Sequence, residues 1–205
     1  MNFKKLIPEL VSGIKHAGFD ENPKIIQTKS IPQIKSGADL YIVAPEGSGK
    51  STAIVIAIIQ QLKEAFEEAP RAIIMASTKE KAFEFEAQFE VLGKHTNLRV
   101  FTVFDQGVIQ YQKDTIYEGL DVLIGTPKRL NELVKITGIP LTKIRMFVVD
   151  DAETFSLEKY HMIYRLTDSI DKSQNVIIAN VWKSNFAKLT ERIMKNPKVV
   201  KEGGK

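Results

Sequence analysis

The chain has 205 residues, of which 43% are hydrophobic and 26% are charged. This balance is typical of a globular domain with a substantial buried core, and we expect one domain at this length. The absence of cysteine excludes disulfides and thiolate metal sites. No stretch approaches the roughly 18 uninterrupted apolar residues of a membrane helix, so we expect a cytoplasmic protein without membrane contact. A net charge of +4 is compatible with a polyanionic partner but does not demonstrate one.

Short apolar runs recur along the chain, and they are rich in valine and isoleucine with little alternation. Such runs are typical of strands buried on both faces of a sheet. Helical stretches lie between them, the clearest being residues 50–66, whose first turns are apolar on all sides. This alternation predicts an α/β fold, a mainly parallel sheet with helices on both faces. The predicted strands are residues 40–44, 71–77, 98–104, 121–126, 145–150 and 175–180.

A second helical stretch, residues 79–92, carries an aromatic stripe. Ala82, Phe85, Phe89 and Leu92 fall at helical spacing on one face, and the glutamates of the stretch spread elsewhere. Aromatic side chains can stack on nucleic-acid bases, but an apolar stripe at this spacing is more often the buried face of a helix. We therefore predict that the stripe belongs to the core.

The stretch APEGSGKST, residues 44–52, follows the first predicted strand and opens the first clear helix. Strand, glycine-rich loop and helix in this order are the context of a phosphate-binding loop. Gly47 and Gly49 permit backbone angles that turn successive amides toward an anion. Lys50 would then reach the β and γ phosphates of a nucleotide, and Ser51 would offer a hydroxyl to Mg²⁺. The loop lacks the first glycine of the general motif, and a glycine-rich turn without a ligand is the alternative.

A carboxylate that holds Mg²⁺ through water is expected at the end of a neighbouring strand. The stretch MFVVDDAE, residues 146–153, has Asp150 in that place, and Asp151 is positioned to orient an attacking water. Acidic residues after a strand are common, so this motif gains its weight from the phosphate loop about a hundred residues upstream. Together the two motifs predict a Mg-nucleotide site.

With these motifs in order, the sequence resembles the first RecA-like domain of the DEAD-box RNA helicases over nearly its whole length. Residues 18–32, GFDENPKIIQTKSIP, resemble the adenine-recognition Q motif of that family. Phe19 matches its aromatic residue, Gln27 matches its glutamine, and Phe3 matches an isolated aromatic upstream. The other matches are APEGSGKS (44–51) to motif I, STKEKA (77–82) to motif Ia, GTPKRL (125–130) to motif Ib, and DDAE (150–153) to the DEAD tetrapeptide.

The resemblance implies a RecA-like P-loop fold, ATP and Mg²⁺ as cofactors, and RNA, single-stranded or duplex, as a partner bound without sequence specificity. It also implies a second RecA-like domain, in the same or another chain. The implied catalytic residues are Lys50, Asp150 and Asp151, and the metal contacts are Ser51 and Asp150. The implied nucleotide contacts are Phe19, Lys24, Gln27, Glu46, Gly47, Ser48, Gly49, Lys50, Ser51 and Thr52. The implied RNA contacts are Thr78, Lys79, Gly125, Thr126 and Arg129; an ordinary turn opening a helix is the alternative for the motif Ib stretch.

Several residues depart from the family pattern. Glu46 replaces a threonine in the loop, where an anion repels a triphosphate unless it faces solvent or pairs with a cation. Lys24 stands where the Q motif has serine or threonine, and Asp151 replaces a water-orienting glutamate. The serine-alanine-threonine triplet of the family aligns with ANV, residues 179–181, which has neither hydroxyl, and Glu153 replaces the aspartate that bonds to that triplet.

Two functions remain open on the sequence. One is an ATP-binding domain of an ATP-dependent RNA helicase, in which Mg-ATP hydrolysis is coupled to RNA binding and remodelling. The other is a catalytically degenerate module that senses nucleotide or binds RNA, because the departures fall at hydrolysis and coupling positions. A small kinase is a weaker third candidate. We expect one RecA-like domain at residues 1–197, with the Q-motif region at 1–36 and the core at 37–197, and a tail or linker start at 198–205.

Overall fold

The computed structural model describes residues 5–19, 22–66 and 68–202. Phe3, matched above to an upstream aromatic, lies outside this part of the chain. The fold is a parallel sheet with helices on both faces, as predicted. The seven strands are β1 (Leu40–Val43), β2 (Ala72–Met75), β3 (Val100–Val103), β4 (Val122–Gly125), β5 (Met146–Val149), β6 (Gln174–Ala179) and β7 (Lys198–Lys201).

Eight α-helices are present in the described residues. They are α1 (Pro8–His16), α2 (Ile25–Lys35), α3 (Lys50–Leu62), α4 (Lys79–Leu92), α5 (Ile109–Tyr117), α6 (Pro127–Lys135), α7 (Tyr160–Asp168) and α8 (Phe186–Ile193). Short 3₁₀ turns at Ala152–Thr154 and Leu157–Lys159 follow β5. No helix in the described ranges is long and apolar enough to cross a membrane.

The strands lie in the order β3-β4-β2-β5-β6-β1-β7, and every recorded pair is parallel. Successive strand residues face opposite layers, and both layers are apolar. Leu40 and Ile42 of β1 pack with α2 and α3, whereas Tyr41 and Val43 pack on the side of α7 and α8. This double burial explains why the strands read as continuous apolar runs.

Helix starts follow local rules. The Thr78 side chain accepts a hydrogen bond from the Lys81 amide at 3.2 Å and caps α4. Pro127 opens α6, at a position where the missing amide costs nothing. Helix α3 ends at Leu62, four residues before the predicted end, because Lys63 adopts a left-handed φ of 64° that stops the helix.

Residues 198–205 were predicted to be a tail or linker start, but Lys198–Lys201 form β7 beside β1. Val200 is 9% exposed and packs on the layer of α2, while the other three residues of this edge strand are exposed. A single buried valine among lysines is too weak a pattern to distinguish an edge strand from a tail. Sheet pairing therefore extends past the predicted end of the domain at residue 197.

The aromatic stripe of α4 lies in the core, as predicted. Ala82, Phe85, Phe89 and Leu92 are all buried against α1, α3 and the sheet. The stripe therefore positions α4 beside the phosphate loop rather than contacting a ligand.

Candidate nucleotide site and RNA-binding face

The phosphate loop joins the carboxyl end of β1 to α3. Gly47 and Gly49 have φ values of 75° and 87°, in the left-handed region that glycine enters without strain. A Cβ at Gly49 would lie 2.7 Å from Nε2 of Gln27, so this position also needs the space of a glycine. The Ser48 hydroxyl oxygen is buried in the loop without a hydrogen-bond partner. Such a buried hydroxyl, among amides at a helix N-terminus, fits a bound phosphate oxygen.

Lys50 is 7% exposed and its ammonium lies inside the loop. It donates hydrogen bonds to the carbonyls of Ala44, at 2.5 Å, and Pro45, at 2.9 Å, and to Oδ1 of Asn180 at 3.0 Å. Burial lowers the pKa of Lys50, and the carboxylates of Asp150 and other nearby acids partly oppose this. The ammonium is therefore held at the mouth of the loop by neutral oxygens that a phosphate can replace.

Glu46, the acid that the family pattern does not have, is exposed to solvent and lines the cavity beside the loop. Its side chain is 86% exposed, and its carboxylate lies 3.7 Å from the ammonium of Lys81. Both conditions that relieve repulsion, exposure to solvent and pairing with a cation, are met. Its exposure weakens the effect of its charge on the loop, although Glu46 is still among the acids that act on Lys50.

Asp150 follows β5 directly and is 3% exposed. Burial, together with the neighbouring charge of Asp151, raises the pKa of Asp150 to about 7. A buried carboxylate that lacks a full counter-charge fits a cation, and Ser51 in the first turn of α3 lines the same cavity. The described residues contain no cluster of three acidic or histidine side chains that would hold a metal alone. Mg²⁺ in P-loop proteins is held by one hydroxyl, one carboxylate, waters and phosphate oxygens, which these two residues suit.

Asp151 has a left-handed backbone, with φ 47° and ψ 45°. Its carboxylate accepts hydrogen bonds from the Ser77 hydroxyl at 2.7 Å and from the Asn180 amide at 3.3 Å. Non-glycine residues in this conformation are uncommon and concentrate at functional sites. The carboxylate is therefore held in one place beside the phosphate cavity.

Asn180 connects the motifs at this edge of the sheet. Its side chain accepts from Lys50 and donates to Asp151, and its backbone amide donates to Oε1 of Glu153 at 2.9 Å. Sequence reasoning noted only that ANV, residues 179–181, lacks two hydroxyls, and it missed the amide. The register explains the position, because β6 lies between β1 and β5, ends level with β1 and extends two residues past the residue that pairs with the end of β5.

Two adjoining cavities form the candidate nucleotide site. A cavity of about 540 Å³ contains the loop, Ser51, Asp150 and Asp151. A smaller one of about 240 Å³ is lined by Gly18, Phe19, Asn22, Lys24, Gln27, Gly49 and Thr52. Lys24, Gly49 and Thr52 line both cavities, so the two cavities adjoin, with the Q-motif residues on one side and the phosphate loop on the other.

The Q-motif region is bonded to the phosphate loop. The Lys24 ammonium donates to the Gly47 carbonyl, and the Gln27 amide donates to the Gly49 carbonyl at 3.5 Å. Oε1 of Gln27 accepts from the Lys24 amide at 2.9 Å, and Phe19 is 45% exposed at the rim of the smaller cavity. Thr52 lies on the other wall, where its hydroxyl donates to Gln88 at 3.0 Å. Lys24 thus has a structural role in fastening α2 to the loop.

A third cavity, of about 620 Å³, lies beside the first turns of α4 and α6. Thr78 is exposed there, and the Lys79 ammonium lies 4.2 Å from the ring centre of Phe104. Lys128 and Lys159 are exposed at the same cavity, and sequence reasoning did not select either. Hydroxyls and ammonium groups around an open groove suit a phosphodiester backbone.

The other residues predicted to contact RNA lie deeper. Arg129 is 5% exposed; its guanidinium donates to Gln112 at 3.2 Å and to the Asp105 carbonyl, and pairs with Glu132 at 3.1 Å. The Thr126 hydroxyl donates to Asp105 at 2.6 Å. Gly125 ends β4, where an added Cβ would lie 2.6 Å from Val103 and 2.8 Å from Leu130. These three residues shape the wall of the cavity from within.

The parallel sheet, the glycine-rich loop before α3 and the acids after β5 define a P-loop nucleotide-binding domain of the RecA-like class. The DEAD/DEAH box helicase family model matches residues 24–180, and the chain belongs to this family. The resemblance seen in the motifs is thereby confirmed.

Similar proteins include eukaryotic initiation factor 4A of Caenorhabditis elegans, 28% identical over 94% of this chain and 48% of that protein. The ATP-dependent RNA helicase eIF4A of Kluyveromyces lactis is 29% identical over 94% of this chain and 49% of its own length. The chain thus spans about half the length of the curated relatives it matches. A DEAD box protein from the hyperthermophile Methanococcus jannaschii has the same fold, with a TM-score of 0.90 and 21% identity over 98% of this chain and 56% of that one.

Proposed function

We propose that this chain is the ATP-binding domain of an ATP-dependent RNA helicase, in which hydrolysis of Mg-ATP is coupled to RNA binding and remodelling. The observation that carries the proposal is the pair of adjoining cavities, one lined by Q-motif residues and the other by the phosphate loop and Asp150. A base, a diphosphate and a divalent cation each have matching groups in that space.

The roles of individual residues follow from their positions. Gln27 and Phe19 contact the adenine, and the amides of the loop with Lys50 contact the phosphates. Ser51 and Asp150 would hold Mg²⁺, and the ion would supply positive charge to the phosphate oxygens. Asp151 orients the attacking water from its fixed backbone position, and Asn180 positions Asp151 and Lys50 relative to each other.

We assign RNA backbone contact to the third cavity, through Thr78, Lys79 and the exposed Lys128. Such contacts position a phosphodiester chain without reading its sequence. Arg129, buried and bonded, acts there by holding Asp105 and Gln112 in place. A second RecA-like domain would complete the cleft, and we propose a cytoplasmic protein acting on RNA, in line with the initiation factor named among its relatives.

The test is phosphate release by the longest natural reading frame that contains this chain, with and without RNA. We expect RNA to stimulate release and Lys50→Ala to abolish it, with Lys135→Ala, an exposed lysine at the end of α6, as the control. Equal rates for the parent and Lys50→Ala would exclude the ATPase. Retained ADP binding without turnover would favour the nucleotide-sensing module instead.

A further inference from the structure

The start of α4 separates two cavities and faces a different one with each side. Lys79 and Glu80 line the proposed RNA cavity, whereas Lys81 and Glu84 line the phosphate cavity. Lys81 and Glu84 are three residues apart and so share one face of the helix. The stretch matched above to motif Ia therefore contributes a cation, Lys81, to the phosphate cavity as well as residues to the proposed RNA cavity.

Lys81 is held only by exposed partners. Its ammonium lies 3.0 Å from Glu84 and 3.7 Å from Glu46, and these carboxylates are 58% and 86% exposed. The hydrogen bond with Glu84 raises the pKa of Lys81, so the side chain stays charged at neutral pH. Ion pairs between exposed side chains contribute little stability, so the ammonium can change partners at low cost.

Lys81 lies at the end of the site where the acids are. It lines the cavity that contains Asp150 and Asp151, and it does not line the cavity of Phe19 and Gln27. Asp150 and Lys81 also influence each other electrostatically. Asp150 is the proposed metal ligand, and the metal lies at the terminal phosphates in the proposed binding mode. Lys81 would therefore lie closer to these phosphates than to the base.

The charges around the phosphate cavity make each cation important. Three lysines, Lys24, Lys50 and Lys81, face four carboxylates. Lys24 and Lys50 already donate to loop carbonyls, whereas Lys81 is bonded to carboxylates that are free to turn toward solvent. Among the lysines that line this cavity, Lys81 is the one paired with exposed carboxylates.

We propose that Lys81 is a second phosphate-binding cation. When ATP binds, the ammonium of Lys81 breaks its ion pairs with Glu46 and Glu84 and contacts the terminal phosphate instead. This inference rests on the proposed function, since it assumes that the cavity binds an adenine nucleotide. Glu46 then competes with the terminal phosphate for the Lys81 ammonium. Glu46 therefore weakens ATP binding without contacting the nucleotide, and Lys81 and Glu46 together set the preference between ATP and ADP.

The experiment measures, by calorimetry, the affinity of the chain as it stands for Mg-ADP and for a non-hydrolysable Mg-ATP analogue. Lys81→Met is expected to lower the affinity for the ATP analogue about tenfold and the affinity for ADP less than threefold, because only the terminal phosphate loses a partner. Glu46→Gln is expected to tighten the ATP analogue a few-fold, and this gain disappears when Lys81→Met is also present. Lys135→Met, an exposed lysine on α6, is the matched control and leaves both affinities unchanged.

Melting of the variants without nucleotide separates this role from a structural one. Lys81→Met is expected to melt within a few degrees of the parent, because its ion pairs are exposed. Equal losses of ADP and ATP affinity, or no loss, with the parent binding both ligands, would overturn the assignment of Lys81 alone. A parent chain that binds neither nucleotide would overturn the proposed function together with it.

Discussion

Asp150 and Asp151 are neighbours in sequence but occupy different environments. Asp150 is almost fully buried after β5, whereas Asp151 is half-buried and bonded to Ser77 and Asn180. The two adjacent carboxyl groups are therefore placed differently, one buried at the end of β5 and one bonded beside the cavity, which suits the separate roles proposed for them.

The raised pKa of Asp150, about 7, predicts a pH-dependent stability. Between about pH 4 and pH 7 the folded chain keeps a proton on Asp150 that the unfolded chain releases, so the free energy of unfolding falls as the pH rises through this range. Asp150→Asn keeps a neutral side chain at every pH. The free energy of unfolding of the variant minus that of the parent should therefore rise by about 1–3 kcal/mol from pH 5 to pH 8. Denaturant unfolding with a chelator present measures this, and a constant difference would contradict it.

The left-handed backbone of Asp151 predicts which substitutions are tolerated. Aspartate and asparagine enter this region more readily than longer side chains. Asp151→Glu, the acid of the family pattern, should therefore lower the free energy of unfolding by about 1 kcal/mol, and it also displaces the carboxylate from Ser77. Asp151→Asn keeps the backbone preference and is the control for stability. Equal stability of both variants would show that the backbone is not strained.

Among single residues, sequence reasoning succeeded where a motif determines the local backbone and failed where tertiary packing determines the partner. The sequence analysis expected unusual backbone angles at Gly47 and Gly49, and both residues have positive φ. The burial of Arg129 depends on Gln112 and Asp105, which reach it from a different segment. Lys81 reaches Glu46 only because α4 packs beside the loop. No local pattern records these approaches.

Helix α4 is the element that links the core to both proposed binding surfaces. One face carries Phe85 into the core, and another carries Phe83, 40% exposed, toward Phe104 at 5.5 Å between ring centres. The two phenylalanines, two positions apart, therefore have different roles.

Phe85→Ala should lower the free energy of unfolding by about 3–5 kcal/mol, because it removes a buried ring and leaves a cavity. Phe83→Ala should cost about 1 kcal/mol or less, since that ring is already partly in water. Urea unfolding of both variants provides the comparison. Similar losses would mean that the stripe of α4 does not form the main contact with the sheet.

At the level of elements, six of the seven strands were predictable because each fills both layers of the sheet with apolar side chains. The prediction of β7 failed because an edge strand with one buried residue carries almost no periodic signal. The end of α3 was misplaced because the helix pattern in the sequence continues past Lys63, where the backbone turns to a positive φ and the helix ends. Propensity specifies interiors of elements better than their ends.

The whole molecule has a functional edge and a structural edge. The phosphate loop, the acids and Asn180 all follow strands at the carboxyl edge of the sheet. At the amino edge, Asp121 is fully buried and accepts hydrogen bonds from Arg71 at 2.6 Å and from the backbone and side chain of Arg99 at 3.0 Å. These hydrogen bonds connect the residues that precede β2, β3 and β4, at the edge of the sheet opposite the proposed nucleotide site.

Asp121→Asn should lower the free energy of unfolding by about 3 kcal/mol, because Arg71 would stay buried without its counter-charge. The matched control is Asp168→Asn, whose exposed pair with Arg192 contributes about 1 kcal/mol or less. Neither change should alter the affinity for Mg-ADP. A loss of affinity in Asp121→Asn under conditions where it is fully folded would show that the two edges are coupled.

The placement of β6 between β1 and β5 has a consequence for redesign of the site. The loop and the acids belong to strands that do not pair with each other, and a single carboxamide at position 180 spans the gap between them. Swapping that one group changes the geometry of both halves together while the glycines and carboxylates stay intact. Position 180 is therefore the place where one substitution would act on both halves of the proposed nucleotide site at once.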